Sequence, residues 1–195
     1  IGISDTDFAW ELKGGERFET PAVYAGYADA GFEKMSHRLH TFCRKHLMPR
    51  AMADVTMPVL YNSWYSTTFD VKCEEQIRLA REAARMGVEL FVVDDGWFAG
   101  RDDDTAGLGD WYVDSRKFPG GLQELIVEVH KLGMKFGIWI EPEMVNRRSS
   151  LFEAHPDWIL AYPGREVLMG RNQYELDMSS QAVVDYLIEI FDKLL

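Results

Sequence analysis

The sequence lacks the features that would assign it to a zinc-binding, disulfide-stabilised or membrane-spanning class. Its 195 residues include only two cysteines, Cys43 and Cys73, which do not make a disulfide framework. Neither cysteine lies in a CxxC motif and no HExxH motif occurs, so no metal site is predicted and no cofactor is expected. No apolar run approaches the roughly 18 residues of a membrane-spanning helix.

Positive charge is scarce as well. Lysine and arginine total 21 against 32 aspartates and glutamates, which gives a formal net charge of -11. This balance argues against nucleic acid or an anionic membrane as a partner and suits a neutral, polyhydroxy or cationic ligand. The 47% hydrophobic content is enough to build a core. No signal peptide is recognisable and a cytoplasmic location is expected, although the first residue is Ile1 and not Met, which limits the weight of that absence.

Residues 1–30 have a pattern of their own. Asp7–Leu12 alternates apolar and polar residues, Gly14 and Gly15 follow as a turn, and Phe18–Tyr27 is extended again. This pattern predicts an antiparallel hairpin, which we expect to be the end of an earlier β domain.

Residues 31–55 are expected to form a linker helix and a connection. Apolar residues recur there at helical spacing, and Pro49 closes the helix. The residues that define this spacing are Phe32, Met35, Leu39 and Phe42.

From residue 56 onward, strand patterns alternate with helix patterns, which implies a parallel sheet. The predicted strands cover residues 59–64, 88–93 and 136–140, and the predicted helices cover 74–86, 120–132 and 180–195. No glycine-rich phosphate loop follows the first strand, so a (β/α)8 TIM barrel fits the α/β pattern better than a doubly wound sheet. A whole barrel needs roughly 250 residues, so residues 56–195 are expected to be its first three βα units, truncated before strand four.

The chain is organised around a short apolar run, Leu90–Val93, that leads directly into Asp94 and Asp95. A strand buried on both faces cannot hold unpaired charge, whereas its carboxyl end is where parallel α/β folds bind ligands. The two aspartates could cap a turn, bind a polyhydroxy ligand, or act as acid and base. Glu141 and Glu143 are predicted to face one side of an extended strand, where a salt bridge or an acid/base role fits equally.

Three tryptophans also lie at or beside predicted strand ends, namely Trp64, Trp97 and Trp139. Sugar rings present C–H faces that pack on aromatic surfaces, so this clustering favours a carbohydrate ligand over core packing alone. A later loop carries Arg171, Asn172 and Gln173, a set that suits polyhydroxyl binding, although a plain loop arginine fits as well. The acidic run 102–104 is expected to be a solvated loop and not a metal site.

Taken together, these motifs resemble the α-galactosidases of glycoside hydrolase family 36, as found in bacteria. The resemblance covers about residues 58–195 and is carried by Asn62-Ser63-Trp64, Asp94-Asp95-Gly96-Trp97-Phe98, Gly109-Asp110-Trp111, Gly133 to Met144, His155-Pro156-Asp157-Trp158 and Gly170-Arg171-Asn172-Gln173. Residues 1–50 resemble the end of that family's N-terminal β-sandwich domain and the helix that links it to the barrel. The resemblance implies a retaining hydrolase of terminal α-galactosides such as melibiose and raffinose, in a homo-oligomer that is often a tetramer.

The resemblance also implies roles for individual residues. Acids that match Asp94 and Asp95 bind the 4- and 6-hydroxyls of galactose in that family. The residues that match Trp64, Trp139 and Arg171 line the same pocket. A supporting shell is expected from Trp97, Glu141, Glu143 and Asn172.

The two catalytic carboxyls of the family have no match in this chain. The family's nucleophile lies in a Lys-Trp-Asp-x-Asn motif on the fourth strand and its acid/base aspartate on a later strand, and neither motif occurs here. Retaining hydrolysis needs two carboxyl groups roughly 5–5.5 Å apart. No catalytic residue is therefore predicted within the chain; both are expected beyond Leu195, and the chain alone is expected to be inactive.

Two local departures from the family leave the aglycone preference open. Tyr65-Ser66-Thr67 replaces the commoner Glu-Ala-Thr, and Asn146-Arg147-Arg148 replaces the usual proline-containing stretch. Two other functions also stay open at this point: a galactosyltransferase of the raffinose-synthase type that uses the same pocket, and a non-catalytic sugar-binding module.

Overall fold

The computed structural model describes residues 3, 8–52 and 54–194. The chain divides into two units, Ile1–Thr56 and Met57–Leu195. Asp7, at the start of the predicted hairpin, and Leu195, at the end of the predicted last helix, lie outside the described residues. Within those residues, every helix is too short or too polar to cross a membrane.

In the first unit, residues 8–30 follow the outline of the predicted hairpin without its strands. A turn is closed by a hydrogen bond of 3.0 Å from the Glu16 N–H to the Lys13 carbonyl. The two arms meet through Trp10 and Phe18, whose ring centroids lie 5.1 Å apart. No strand occurs between residues 8 and 30. A hairpin of two strands is only marginally stable in water, which explains a turn and an aromatic contact without a ladder.

The helix predicted within residues 31–55 is present as α1, Gly31–Phe42. It continues into one π-helical turn, Cys43–Leu47, and a 3₁₀ turn follows at Arg50–Met52. The Arg38 guanidinium donates to the Tyr27 carbonyl at 2.9 Å, which holds the preceding extended segment along the helix.

The second unit contains the predicted parallel sheet. Its strands are β1, Leu60–Asn62, β2, Leu90–Val93, and β3, Lys135–Ile138. They pair in the order β1-β2-β3, and both pairs are parallel. In this register Phe91 pairs with both Tyr61 and Phe136. The prediction of a mixed α/β unit with a parallel sheet is therefore confirmed.

Three longer helices lie close to their predicted bounds: α3, Cys73–Arg85, α4, Gln123–Lys131, and α6, Gln181–Leu194. Gly87 and Gly133 follow the first two of these helices with φ values of 84° and 82°. Positive φ after a helix is the C′ position that glycine occupies without strain. The sequence pattern did not predict the short helices α2, Trp64–Thr67, and α5, Ser150–Ala154, or the 3₁₀ turn Pro156–Trp158.

An antiparallel pair of short strands was also not predicted. It joins β4, Met144–Asn146, to β5, Gln173–Glu175. Each strand has only 3 residues, which is too short for an alternating pattern to be read from the sequence. This pair brings the loop before β5 back toward the carboxyl ends of the parallel strands.

The core of the second unit lies between the parallel sheet and the helices. The central strand β2 contributes side chains with no exposed surface, and α3 and α4 turn their apolar stripes toward it, as the helical spacing predicts. The fully buried members include Ala80, Phe91, Val93, Trp97, Phe98, Leu125 and Val129. A second cluster packs around β4, α5 and α6 and contains Val145, Leu151, Leu176, Val183 and Leu187.

Gly96, directly after the two aspartates, leaves no room for a side chain. Its φ is +99°, and a Cβ atom there would lie 2.9 Å from the Cα of Phe69 and 3.1 Å from the Cγ2 of Val71. We expect Gly96→Ala to lower the free energy of unfolding of the intact protein by about 3 kcal/mol or more, because unfavourable φ and a backbone clash act together. Denaturant unfolding measures this loss.

Gly87 provides the matched control for that substitution. Its φ is +84°, but no atom lies within 4 Å of the position of a Cβ. Gly87→Ala should therefore cost only the unfavourable φ, about 1–2 kcal/mol. Equal losses for the two alanine variants would contradict the tight packing at Gly96.

Candidate functional site

A pocket of about 380 Å³ lies at the carboxyl ends of the parallel strands. Residues from the end of β1, the end of β2, the segment after β3 and the loop before β5 meet there, as expected for neighbouring parallel strands. The lining residues are Asn62, Trp64, Tyr65, Asp94, Asp95, Trp139 and Arg171. All five residues that the sequence proposes for ligand binding are therefore brought together in one cavity.

Asp94 is held at the pocket by hydrogen bonds from two directions. Its Oδ2 accepts from the Asn62 side-chain amide at 2.5 Å, and its Oδ1 accepts from the Asp95 N–H at 2.8 Å. Its own N–H donates to the Ser63 hydroxyl at 3.0 Å. An ionised carboxylate offers about four lone-pair sites, so these contacts orient the group and leave acceptor capacity for a ligand.

Asn62 also places the neighbouring tryptophan. Its side-chain oxygen accepts a hydrogen bond of 2.8 Å from the Trp64 N–H. The Trp64 ring meets Phe69 edge-on, with a centroid distance of 5.2 Å. Asn62 was not among the predicted site residues, although it stands in the first motif of the resemblance.

Asp95 differs from Asp94 in that a buried arginine holds both of its oxygens. Arg101 donates to Oδ1 at 2.8 Å and to Oδ2 at 2.7 Å, and the two side chains are 1% and 4% exposed. This fork-to-fork arrangement is the strongest geometry for such a pair. We call the buried Asp95–Arg101 pair the floor of the pocket. Only the Asp95 lone pairs that Arg101 does not use can accept a hydrogen bond from a ligand.

Sequence reasoning missed Arg101. Its guanidinium also donates to the Ala106 carbonyl and to the Asn146 side-chain oxygen, both at 3.0 Å, and lies 5.2 Å from the Phe69 ring centroid. The one available signal was a single cation six residues after the paired aspartates, just before an acidic run.

The acidic run that follows forms ion pairs and turn contacts. Asp102 pairs with Arg116 at 2.9 Å and with Lys117 at 3.0 Å, and hydrogen bonds from these cations hold its pKa below the usual value. Asp103 accepts from the N–H and the hydroxyl of Thr105. Among the described residues, no group of three or more metal-ligating side chains is present.

Lys117 fixes the loop that carries these residues. Its buried ammonium donates to the carbonyls of Arg101 at 2.7 Å, Gly96 at 2.8 Å and Phe69 at 3.0 Å. Lys117 thus joins the later part of the loop after β2 to its beginning and to Phe69.

Arg171 reaches the pocket from a two-residue turn. Arg171 and Asn172 have φ values of 50° and 63°, and Gly170 and Gln173 exchange two main-chain hydrogen bonds across them, of 3.2 Å and 2.8 Å. Positive φ at both central positions is the signature of a tight hairpin turn. The sequence predicted a loop there; the structure makes it a turn leading into β5.

The predicted supporting residues have different surroundings. Trp97 has no exposed surface, and its indole N–H donates to the Trp139 carbonyl at 2.8 Å, which fixes the main chain of a pocket residue. Glu141 accepts from the Gln173 side-chain amide at 2.6 Å, at the base of the Arg171 turn. Asn172 contributes its main-chain carbonyl, which accepts from Asn146 at 2.8 Å.

Glu143 does not share an extended strand with Glu141, so that prediction is wrong. The strand β3 ends at Ile138, and a hydrogen bond of 3.2 Å from the Met144 N–H to the Glu141 carbonyl closes a turn before β4. The Glu143 side chain is exposed, and its carbonyl accepts from the Leu176 N–H at 2.8 Å. Pro142 favours such a turn over continued strand pairing.

Comparison with known proteins gives one consistent result. Residues 17–195 match the family model described as Melibiase. The α-galactosidase AgaA of Geobacillus stearothermophilus is 47% identical over 195 residues, which are 100% of this chain and 27% of that protein. The α-galactosidase 1 of Pediococcus pentosaceus is 42% identical, again over 100% of this chain and 27% of its own length.

Solved structures agree. The crystal structure of AgaA, a glycoside hydrolase family 36 α-galactosidase, superimposes with a TM-score of 0.91 and 47% identity over 100% of this chain and 27% of that chain. Variants of AgaA in complex with stachyose and with raffinose superimpose with TM-scores of 0.90 and 0.89, each at 46% identity, and this chain spans 27% of each. The superposition covers 100% of this chain for the stachyose complex and 98% for the raffinose complex.

This chain thus spans about a quarter of the length of the relatives that it matches. Over that span the agreement in sequence and in fold runs along the whole chain, and it includes the segments that form the pocket. The chain therefore belongs to the melibiase family, and along its whole length it is similar to an α-galactosidase of glycoside hydrolase family 36.

Proposed function

We propose that the intact protein hydrolyses terminal α-galactosides of the melibiose and raffinose type with retention, and that this chain supplies part of the galactose pocket. The observation that carries the proposal is the convergence of Trp64, Asp94, Asp95, Trp139 and Arg171 on one cavity. The names of the relatives and the raffinose and stachyose complexes support the same substrate class.

Each pocket residue suits one part of a sugar. Asp94 offers an oriented carboxylate to neighbouring hydroxyl groups, and Asp95 adds its remaining acceptor sites beside it. Trp64 and Trp139 offer aromatic surface to the C–H face of a sugar ring. Arg171 adds planar donors for the hydroxyl oxygens.

The domain assignment is part of this proposal. Residues 56–195 are the first three βα units of a (β/α)8 barrel, residues 31–55 are the linker helix and connection, and residues 1–30 are the end of a β-sandwich domain. The sequential parallel order β1-β2-β3 and a pocket at the carboxyl ends of these strands support the barrel.

The catalytic pair is proposed to lie beyond Leu195, so the chain alone is inactive. The two carboxylates in the pocket are consecutive residues, and their hydrogen bonds with Asn62 and Arg101 suit recognition and support. A retaining mechanism needs two carboxyls roughly 5–5.5 Å apart, one to attack the anomeric carbon and one to protonate the leaving oxygen. A homo-oligomeric parent and a cytoplasmic location stay predictions.

Hydrolysis of p-nitrophenyl α-galactoside by the intact protein tests this proposal. We expect release of α-galactose as the first product, observed by NMR before mutarotation, and no comparable rate with the α-glucoside. Addition of excess sucrose distinguishes a galactosyltransferase, which would divert galactose to the acceptor. Galactose binding without hydrolysis would indicate a sugar-binding module and contradict the proposed enzyme. Neither binding nor hydrolysis would contradict the whole proposal.

A further inference from the structure

We propose that Asn146 is a positioning residue, which holds the Arg171 turn at the pocket by linking it to the buried Asp95–Arg101 pair. The inference rests on the proposed function, because it assigns Arg171 to galactoside binding. It adds a residue that touches no ligand and acts through others.

Asn146 has no exposed surface and uses its whole side-chain amide. Its Oδ1 accepts from Arg101 Nη1 at 3.0 Å and from the Leu108 N–H at 2.9 Å. Its Nδ2 donates to the Asn172 carbonyl at 2.8 Å and to the Asp104 carbonyl at 3.3 Å. These donors and acceptors define the orientation of the amide, which makes it a rigid connector.

One side of this connector is the floor of the pocket. Arg101 is held by Asp95 through two hydrogen bonds and by Asn146 through a third. All three residues are buried, with whole-residue exposures of 3% or less. In such surroundings each member of a hydrogen-bonded network restricts the others.

The other side of the connector is the turn that carries Arg171. Arg171 adopts a positive φ that is unfavourable for a residue with a long side chain, so the turn benefits from external support. Asn146 holds the carbonyl of Asn172, and Glu141 holds the side chain of Gln173. Arg171 itself is exposed, so the main chain beneath it sets where its guanidinium lies.

The substitution Asn146→Asp keeps the shape of the side chain and its contact with Arg101, but it removes the hydrogen bond to the turn. The aspartate still accepts from Arg101 and from the Leu108 N–H. Its second oxygen, however, faces the Asn172 and Asp104 carbonyls, so the link to the turn becomes a repulsion between acceptors. We expect the KM of the intact protein for p-nitrophenyl α-galactoside to rise by about tenfold with kcat little changed, as when ground-state binding is lost.

A double-mutant cycle with Arg171→Ala tests whether Asn146 acts through Arg171. If it does, adding Asn146→Asp to Arg171→Ala raises KM by no more than about twofold, because the interaction has already been removed. The inference would be overturned if the effects of the two substitutions on KM multiplied, or if Asn146→Asp lowered only kcat. In either case the activity of the wild-type protein would still support the proposed function. Arg147→Gln is the control, since this exposed neighbour changes charge without entering the network.

Hydrogen exchange provides a readout that needs no substrate. In Asn146→Asp we expect the Gln173 amide, which bonds to the Gly170 carbonyl, to exchange at least about tenfold faster, with α3 and α4 unchanged. This result would support the positioning role even if the protein did not act on galactosides. Unchanged exchange at the turn would overturn it in either case.

Discussion

Arg101→Met is expected to lower the free energy of unfolding of the intact protein by about 3–5 kcal/mol. The substitution leaves the Asp95 carboxylate, on a side chain that is only 4% exposed, without the cation that binds both of its oxygens. It also removes the donor to the Ala106 carbonyl and to Asn146. Breaking a buried pair costs much more than the pair contributes, because one charge stays buried without compensation. Denaturant unfolding followed by tryptophan fluorescence measures the loss.

Arg78→Met is the matched control for this prediction. Arg78 also forms two hydrogen bonds with one carboxylate, that of Glu75, at 2.9 Å and 2.6 Å. The side chains of this second pair are 60% and 41% exposed, so its loss should leave the denaturation midpoint close to that of the wild type. In addition, Asp95→Asn combined with Arg101→Met should be less damaging than Arg101→Met alone, because the uncompensated charge is removed. Equal losses for the Arg101 and Arg78 variants would contradict the structural role of the buried pair.

Asp94→Asn is expected to lower kcat/KM for α-galactosides by about 10²–10⁴-fold. Both Asp94 oxygens accept from protein donors, one from the Asn62 amide and one from the Asp95 N–H. An asparagine must therefore turn its own NH₂ toward one of these donors, whichever way the amide is oriented. The ligand loses a charged acceptor, and the position of the side-chain oxygen that remains is also disturbed. Steady-state kinetics with p-nitrophenyl α-galactoside provides the measurement.

Asp70→Asn removes the same charge outside the pocket and serves as the control. The Asp70 side chain is 72% exposed and pairs with Lys72 at 2.8 Å. Its replacement should leave kcat/KM within about twofold of wild type. If Asp94→Asn retained full activity with an intact fold, Asp94 would not be a recognition group.

Much of the second unit can be predicted from local patterns. Apolar periodicity gives the helices α3, α4 and α6, and the run at Leu90–Val93 gives the central buried strand. Convergence of Trp64, Asp94 and Trp139 follows from topology, since the carboxyl ends of parallel strands share one edge.

The contacts that hold the site could not be predicted in the same way. Nothing in the sequence tells which of the 21 lysines and arginines meets Asp95, because the pairing with Arg101 depends on the path of a loop. The contacts of Asn146 could not be predicted either, since its strand has only 3 residues and pairs with a segment far along the chain. The alternating pattern in residues 8–30 failed for the opposite reason, because local alternation without further strands does not stabilise a ladder.

The structure gives the two aspartates different surroundings, and we propose a different role for each. Asp94 is half-buried and oriented by neutral donors, which suits contact with a ligand, whereas Asp95 is buried and bound to Arg101, which suits support of the pocket floor. The link through Asn146 extends that support to the turn that carries Arg171. The groups that we propose for recognition at Asp94, at Asp95 and on the Arg171 turn are therefore joined through these hydrogen bonds.

A crystal structure of the intact protein with bound galactose tests the central claim most directly. We predict that an Asp94 oxygen lies within about 3 Å of a ring hydroxyl, with Trp64 and Trp139 against the sugar and Arg171 donating to it. The Asp95–Arg101 pair and its bond to Asn146 should be unchanged in that complex. A galactose bound away from the ends of β1, β2 and β3, or an Asp94 carboxylate without contact to the sugar, would contradict this account.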